Sequence, residues 1–359
     1  VNCYIHTPFC NGRCGYCAFF SDGAPTEEKV RLWLAHLCCQ LDALPRNSCD
    51  TIYLGGGTPT LPGVPVLTEL FCHVLPLARE GCEISMEANP ETLTAEKVAF
   101  LRERITRISL GVQSFDGELR RILGRNCSDA ALENALKWIQ SARFPHWNID
   151  LIYGIPGQTP EAWRRELQHA VSLGCDHLSC YNLTPEEGAR LADKMIPDEE
   201  DSVAMWKMAG AELAQAGIYR YEISNYARPG AECRHNVSVW RGGELWGLGP
   251  SAAGFDGRVR RTQVPSLDRW LAGEPPETDA LSVPDRCREI FAVNLRTTSG
   301  WTPELWAQVP GAEPWAERVE RTRRIAVRFP DGFLNVRPDR IFAGENGLLF
   351  WNDVAEALL

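Results

Sequence analysis

The sequence predicts an α/β fold, a partial (βα)6 barrel of the TIM type with a smaller C-terminal α+β appendage. Short apolar, β-rich runs alternate six times with longer stretches of helical periodicity in the first two-thirds of the 359 residues. Polar residues recur at the C-terminal ends of those runs, the end that forms the working mouth of a β/α barrel. The alternation stops after about Ala216. Right-handed βαβ crossovers then imply a parallel sheet, and six units fall short of the usual eight-stranded closure. An open, doubly wound sheet is the competing form.

The strands are expected at 3–6, 51–54, 83–87, 107–112, 148–153 and 177–181, and the helices at 27–44, 64–79, 95–104, 129–141, 161–173 and 199–216. Thr94 and Thr159 stand where a hydroxyl caps a helix, and Pro160 suits a first helical turn. These elements assign 1–217 to the barrel. Residues 218–359 form a second unit, opening with a Gly- and aromatic-rich stretch, 219–255, that holds neither period for long. A loop is expected at 275–277, a helix at 284–295, and a short β element followed by a terminal helix at 342–359.

An apolar fraction of 44% and a charged fraction of 23% are ordinary globular values. A net charge of −10 works against binding a phosphate backbone, so nucleic acid is not an expected partner. No apolar run reaches the roughly 18–20 residues of a membrane span, and Val1-Asn2-Cys3 lacks the basic start of a signal peptide. A cytoplasmic location is expected. Most of the 14 cysteines, such as Cys72, Cys82, Cys175 and Cys180, sit singly in apolar segments, as small hydrophobes do in a reducing compartment.

Three are different. Cys10, Cys14 and Cys17 crowd a Gly-bearing loop after the first strand. Three thiolates suit a soft metal centre but are one short of a closed zinc site or a fully protein-ligated 4Fe-4S cluster, so one coordination position is open or filled from elsewhere. Zinc completed by a remote His or Cys is the alternative. Gly55-Gly56-Gly57-Thr58 after strand two exposes backbone for close approach of a ligand. It lacks the lysine of a P-loop and the spacing of a dinucleotide fingerprint. Glu87, Gln113, Ser114, Asp150 and Tyr181 end the later strands. Each alone could be a satisfied buried polar group, but together they mark one mouth.

The Cys-x3-Cys-x2-Cys loop, with Tyr16 before its last cysteine, closely resembles the radical S-adenosylmethionine (SAM) superfamily. That resemblance implies a 4Fe-4S cluster on Cys10, Cys14 and Cys17, whose open iron binds the amino and carboxylate groups of SAM and whose electron releases a 5'-deoxyadenosyl radical. Glu87-Ala88-Asn89-Pro90, Gly111-Val112-Gln113-Ser114-Phe115, Leu123-Gly124-Arg125, the run from Asp150 to Thr159 and that from Tyr221 to Tyr226 resemble the coproporphyrinogen-oxidase-like group. The likeness covers nearly the whole chain and implies that Tyr4, Tyr16, Gly56, Gly57, Thr58, Glu87, Gln113, Arg125, Asp150 and Ile152 surround SAM.

Within that group, oxidases carry a further cysteine two residues past the third and an N-terminal extension. This chain has Phe19 there and begins almost on strand one. Both features resemble the HemW-like heme chaperone branch, as does Arg234-His235-Asn236-Val237-Ser238-Val239-Trp240, with Val239 for the branch's tyrosine. The resemblance implies heme as a further ligand, with His235 as its axial ligand, an acceptor hemoprotein and an electron donor. The chain departs from the pattern again at Ala253, where relatives carry histidine. The competing function is a radical SAM enzyme acting on a tetrapyrrole or another conjugated substrate, as an oxygen-independent coproporphyrinogen III oxidase or a methyltransferase does.

Overall fold

Strands β1 (Asn2–Thr7), β2 (Cys49–Gly56), β3 (Ala78–Ala88), β4 (Arg107–Gln113), β5 (His146–Tyr153) and β6 (His177–Asn182) lie side by side in chain order, every neighbouring pair parallel. This computed structural model describes residues 1–184, 189 and 198–359. The strands read as near-continuous apolar runs because they are covered on both faces. Helices α1 (Glu27–Asp42), α2 (Val64–Val74), α3 (Ala95–Arg102), α4 (Gly117–Ile122), α5 (Asp129–Ala142), α6 (Pro160–Ser172) and α7 (Glu199–Gln215) alternate with them. Trp33, Leu37 and Leu41 of α1 and Trp163 and Leu167 of α6 are buried in the same core as Ile5, Ile52 and Ile149. The starts of α1, α3, α5 and α6 are fixed by the hydroxyls of Thr26, Thr94, Ser128 and Thr159, each accepting a backbone N–H three residues on.

The sheet does not end at residue 217. Strands β7 (Tyr219–Arg220) and β8 (Asn225–Ala227) extend it antiparallel beyond β6. After α8 (Arg234–Trp240), β9 (Leu245–Leu248) joins the other edge parallel to β1, followed by antiparallel β10 (Ala253–Phe255) and β11 (Val259–Thr262). Beyond α9 (Leu267–Leu271), β12 (Glu277–Ala280) completes a sheet of twelve strands. Its edges, β12 and β7, do not pair, so the barrel is open. The expected boundary at 217 therefore falls inside the sheet, and the expected loop at 275–277 runs into β12. The glycines that hid these strands belong to their packing: a Cβ at Gly247 would lie 2.3 Å from the carbonyl oxygen of Ala253.

A separate core begins near residue 283. It is built from α10 (Val283–Asn294), α11 (Pro303–Trp306), α12 (Trp315–Ala326), the hairpin β13 (Leu334–Val336) and β14 (Ile341–Ala343), α13 (Glu345–Leu349) and α14 (Trp351–Leu358). Phe291, Trp301 and Trp306 fill it edge-on and stacked, with the Arg318 guanidinium over two of the rings. Leu348 of α13 instead belongs to the barrel core and docks this unit against it.

The N-terminal ends of the strands are closed by a polar floor. Glu83 of β3 faces Arg107 of β4 at 3.4 Å, and both are buried. The same carboxylate accepts the backbone N–H groups of Arg234 (3.2 Å) and His235 (3.0 Å) at the start of α8, a helix whose own N-cap, Cys233, supplies no side-chain bond. Arg107 also donates to the carbonyls of Ala231 and Glu232. Replacing Arg107 by Ala strands a buried carboxylate and should cost about 3–5 kcal/mol of stability, read as a lower urea midpoint. A midpoint within experimental error of the parent would show that the floor is not held by this pair.

Candidate functional site at the mouth of the barrel

At the opposite end a cavity of about 1360 Å³ opens where the parallel strands finish. Cys10, Cys14 and Cys17 form one wall. Their loop is anchored by Phe9, fully buried edge-on against Trp33 at 5.6 Å between ring centres, and by Gly15 N–H donating to the carbonyl of Leu123 (2.9 Å). Gly57 meets the loop from below. Its N–H donates to Thr7 O at 2.7 Å, and a Cβ there would lie 2.4 Å from Phe9 O. Gly56, at φ +107°, passes so close to the His6 ring that a Cβ would come within 2.7 Å. The run of glycines after β2 is therefore a backbone contact that seats the cysteine loop.

From Arg125 a chain of hydrogen bonds reaches that loop. Its Nη2 donates to Gly111 O (2.6 Å) and Asn89 Oδ1 (2.9 Å); Asn89 Nδ2 donates to Thr58 Oγ1 (2.9 Å), and Thr58 Oγ1 to Cys10 Sγ (3.3 Å). The Nη1 of Arg125 lies 3.9 Å from Cys14 Sγ, and its buried Nε has no partner among the described residues. Gln113 adopts φ +70° at the bend ending β4, a strained position for a residue with a side chain. Glu166 of α6 holds that bend, accepting Phe115 N–H at 3.0 Å and the Ser114 hydroxyl.

Glu87 and Asp150 stand in the cavity with no cation bonded to either carboxylate among the described residues. Burial, reinforced by the charge of Asp150, pushes the Glu87 carboxyl up to about 7, against the Tyr53 hydroxyl that donates to it at 2.9 Å and a Gly56 N–H. Burial also raises Asp150, and hydrogen bonds from Ser179, Asn148 and Ser109 offset part of that rise. Ile152, with Leu119, Leu123, Ile155, Leu183 and Tyr16, makes an apolar cluster beside the cysteines. Such a site can take a cationic, partly apolar small molecule next to a thiolate-held metal centre.

The cavity thus gathers the three cysteines and Tyr16, Gly56, Gly57, Thr58, Glu87, Gln113, Arg125, Asp150 and Ile152. Tyr4 is not on its surface: it lies parallel to Tyr53 inside the barrel and shares a 3.1 Å hydrogen bond with His6 Nδ1. Nor is His235. It is buried at the floor, its Nδ1 2.8 Å from Thr51 Oγ1, and burial lowers its pKa to about 4. The axial position expected of His235 is thus not where the chain puts its imidazole. Asn89, Tyr53, Asn148 and Ser109 were missed as site residues, although Asn89 stands in a quoted motif. Leu348–Asp353, which form the outer rim, are far away in sequence and gave no signal.

The Radical SAM superfamily model matches residues 4–170. The heme chaperone HemW of Mycobacterium tuberculosis (strain CDC 1551 / Oshkosh) is 34% identical over 382 residues, covering 99% of this chain and 94% of its own. HemW of Escherichia coli (strain K12) is 36% identical over 375 residues, covering 100% and 98%. The chain belongs to the HemW family of radical SAM proteins. Its fold is that of the coproporphyrinogen III oxidase HemN from Escherichia coli, with a TM-score of 0.84 and 22% identity over 99% of this chain and 89% of that one. With the family come a 4Fe-4S cluster and SAM.

The residues present fit those groups. Among the described residues no three Cys, His, Asp or Glu side chains converge as around a single ion. A cluster would take one thiolate on each of three different irons and does not require them to. The Gly57 cradle admits the loop only without a Cβ, and the carboxylates of Glu87 and Asp150, which have no ion-pair partner among the described residues, match a cationic ligand. The family's other two marks lie elsewhere: Val239 and Ala253 both face a small second cavity of about 120 Å³.

Two outcomes test this site. Gly57→Ala should displace the cysteine loop and lower the iron retained after anaerobic reconstitution, and Cys10→Ala should abolish it; full iron in both would refute the placement of the cluster. SAM affinity should rise as pH increases through about 7, because a cationic ligand favours ionised Glu87 and the proton is lost above that value. Calorimetry on Glu87→Gln should lose that dependence.

Proposed function

We propose that the chain is a heme chaperone in which Cys10, Cys14 and Cys17 hold the cluster, the inner cavity holds SAM, and the outer cavity receives heme for transfer to an acceptor hemoprotein. The single observation that carries the reading is the volume of the mouth. About 1360 Å³ exceeds the roughly 300–1000 Å³ of a site for one small molecule, and large apolar side chains stand among the polar ones at its rim. Phe19, 73% exposed, and Phe350, 45% exposed, both line the cavity, as do Leu349 and Trp351. Flat macrocycles favour such walls.

When bound, the cluster supplies an open iron for the amino and carboxylate groups of SAM and an electron, delivered by a donor protein, to its sulfonium. The chain's own residues do the rest. Glu87 and Asp150 accept from ribose hydroxyls and compensate positive charge; Arg125 and Gln113 orient the polar end; Ile152 and Tyr16 cover the adenine. Tyr4 acts one layer down, holding the strand ends through His6. His235 holds the floor. In Phe19 the mouth presents a ring where oxidases carry a thiol.

All 14 cysteines are free, which supports a reducing, cytoplasmic setting. Among the described residues no helix is long and apolar enough to cross a membrane. A second reading, a SAM-dependent enzyme acting on a tetrapyrrole, is favoured by the way Glu87, Asp150 and Arg125 line the same cavity as the cysteines.

Heme titration and anaerobic SAM turnover on the same reconstituted protein separate the two. One heme per chain is expected, with its spectrum unchanged in His235→Ala and its affinity lowered at least severalfold in a Phe19→Ala, Phe350→Ala double variant. Multiple turnovers of coproporphyrinogen III would install the enzyme reading in its place.

A further inference from the structure

Asp150 is oriented by a hydrogen-bonded relay that begins outside the cavity. Asn148 lies two residues before it on the same face of β5, and its Nδ2, with two hydrogens to give, stands within hydrogen-bond distance of Asp150 Oδ1 (2.7 Å), Ser109 Oγ (2.6 Å) and Ser179 Oγ (3.0 Å). Its Oδ1 stands 2.7 Å from Nδ1 of His177, the residue paired with it on β6. His177 Nε2 in turn stands 2.8 Å from the Tyr221 hydroxyl, which also accepts Cys233 N–H at 3.3 Å. Asn148, Ser109, Ser179 and His177 are all buried.

With Asp150 ionised, these contacts admit one orientation of the Asn148 amide. The amide of Asn148 must present its nitrogen to the carboxylate and its oxygen to His177, so Nδ1 of His177 carries a hydrogen and Nε2 accepts. Tyr221 selects that tautomer by donating to Nε2 while accepting from Cys233. Burial and the neighbouring Arg107 keep His177 neutral, lowering its pKa well below the usual imidazole value. In the other tautomer Nδ1 would be an acceptor. Asn148 would then turn its amide over and set its oxygen against Asp150. Tyr221 itself is held from the C-terminal unit. Its carbonyl accepts Thr298 N–H (2.9 Å), and the adjacent, fully buried Glu222 accepts Arg296 through Nε (3.0 Å) and Nη2 (2.8 Å).

We propose that Tyr221 and His177 are positioning residues for SAM, fixing through Asn148 which face of the amide meets Asp150. The proposal rests on the reading of Asp150 as a SAM ligand. It explains why the Tyr221–Tyr226 motif, which adds only short strands to the sheet, supplies a hydroxyl below the mouth.

The test uses the full, cluster-reconstituted chain, with SAM as the probe in anaerobic calorimetry and iron content as the control for folding. Asn carries its amide nitrogen where histidine has Nδ1, and Gln where it has Nε2. His177→Asn should therefore keep SAM affinity within about twofold, while His177→Gln weakens it about tenfold, the scale of one hydrogen bond to a charged group. Tyr221→Phe should weaken binding about three- to tenfold in the parent and not at all in the His177→Asn background, where no tautomer remains to be chosen. Equal losses in His177→Asn and His177→Gln, or a Tyr221→Phe effect undiminished in the double variant, would overturn the relay. Should His177→Gln fail to fold, the Tyr221→Phe comparison decides alone. Asp150→Ala marks the boundary between the two readings: weak binding there beside normal binding in His177→Gln sinks the relay only, and normal binding in Asp150→Ala sinks both.

Discussion

One buried cation ties the mouth together. The Arg125 guanidinium bonds a β4 carbonyl at Gly111 and the Asn89 side chain just past β3, and through Asn89 and Thr58 it reaches Cys10. Between the three thiols only Tyr16 brings a large apolar surface, packed in the cluster with Leu123 and Ile152, while Asn11, Gly12, Arg13 and Gly15 add little. The loop's geometry is imposed from outside, by Arg125 on one side and the Gly56–Gly57 backbone on the other. Gly111 completes the constraint. A Cβ there would stand 3.2 Å from Asn89 Oδ1 and 3.4 Å from Arg125 Nη2, tight enough to disturb both. Two glycine positions and one arginine, distant in sequence, therefore serve a single contact.

The two ends of the barrel treat the same chemistry in opposite ways. At the floor, Glu83 is buried but compensated by Arg107 and two helix N–H groups, so its charge is paid for locally. At the mouth, Glu87 and Asp150 receive hydrogen bonds but no ion pair among the described residues, and burial raises both. A buried carboxylate without a counter-charge is unfavourable unless something supplies one. The asymmetry marks the mouth as the end that awaits a cation, independently of where cysteines lie. It also explains His235, whose residue type suggests a ligand but whose place on the floor makes it part of the closure.

How much of this was legible in the sequence follows from periodicity. The six parallel strands and their helices stood out because each is a long apolar run or a 3.6-residue pattern, and the strand-end residues Glu87, Gln113 and Asp150 came with them. Six short strands, β7 to β12, did not, because two to four residues carry no period and Gly247 and Gly254 are there for backbone contact. Helix α4 was missed at six residues, although Asp116 caps it by accepting Glu118 N–H. Tyr4 and His235 were placed at the ligand by resemblance. Their depth in the barrel depends on which layer each residue occupies, and a sequence alone does not show that.

The chain's departures from its family pattern can be weighed by where they fall. Val239 and Ala253, the two positions where the sequence departs from the pattern it resembles, come from different elements yet line the same cavity of about 120 Å³. That gap is well below the volume of a site for an organic ligand. Its charged lining is internally satisfied, Arg260 meeting Glu289 at 2.6 Å. Neither residue touches the mouth, and neither contacts the relay through Tyr221 and His177. Both positions therefore read as packing between the added strands and α10, apart from the cysteine loop and the carboxylates that line the large cavity. The residues that line the large cavity, Phe19 and Phe350 among them, lie at the mouth instead.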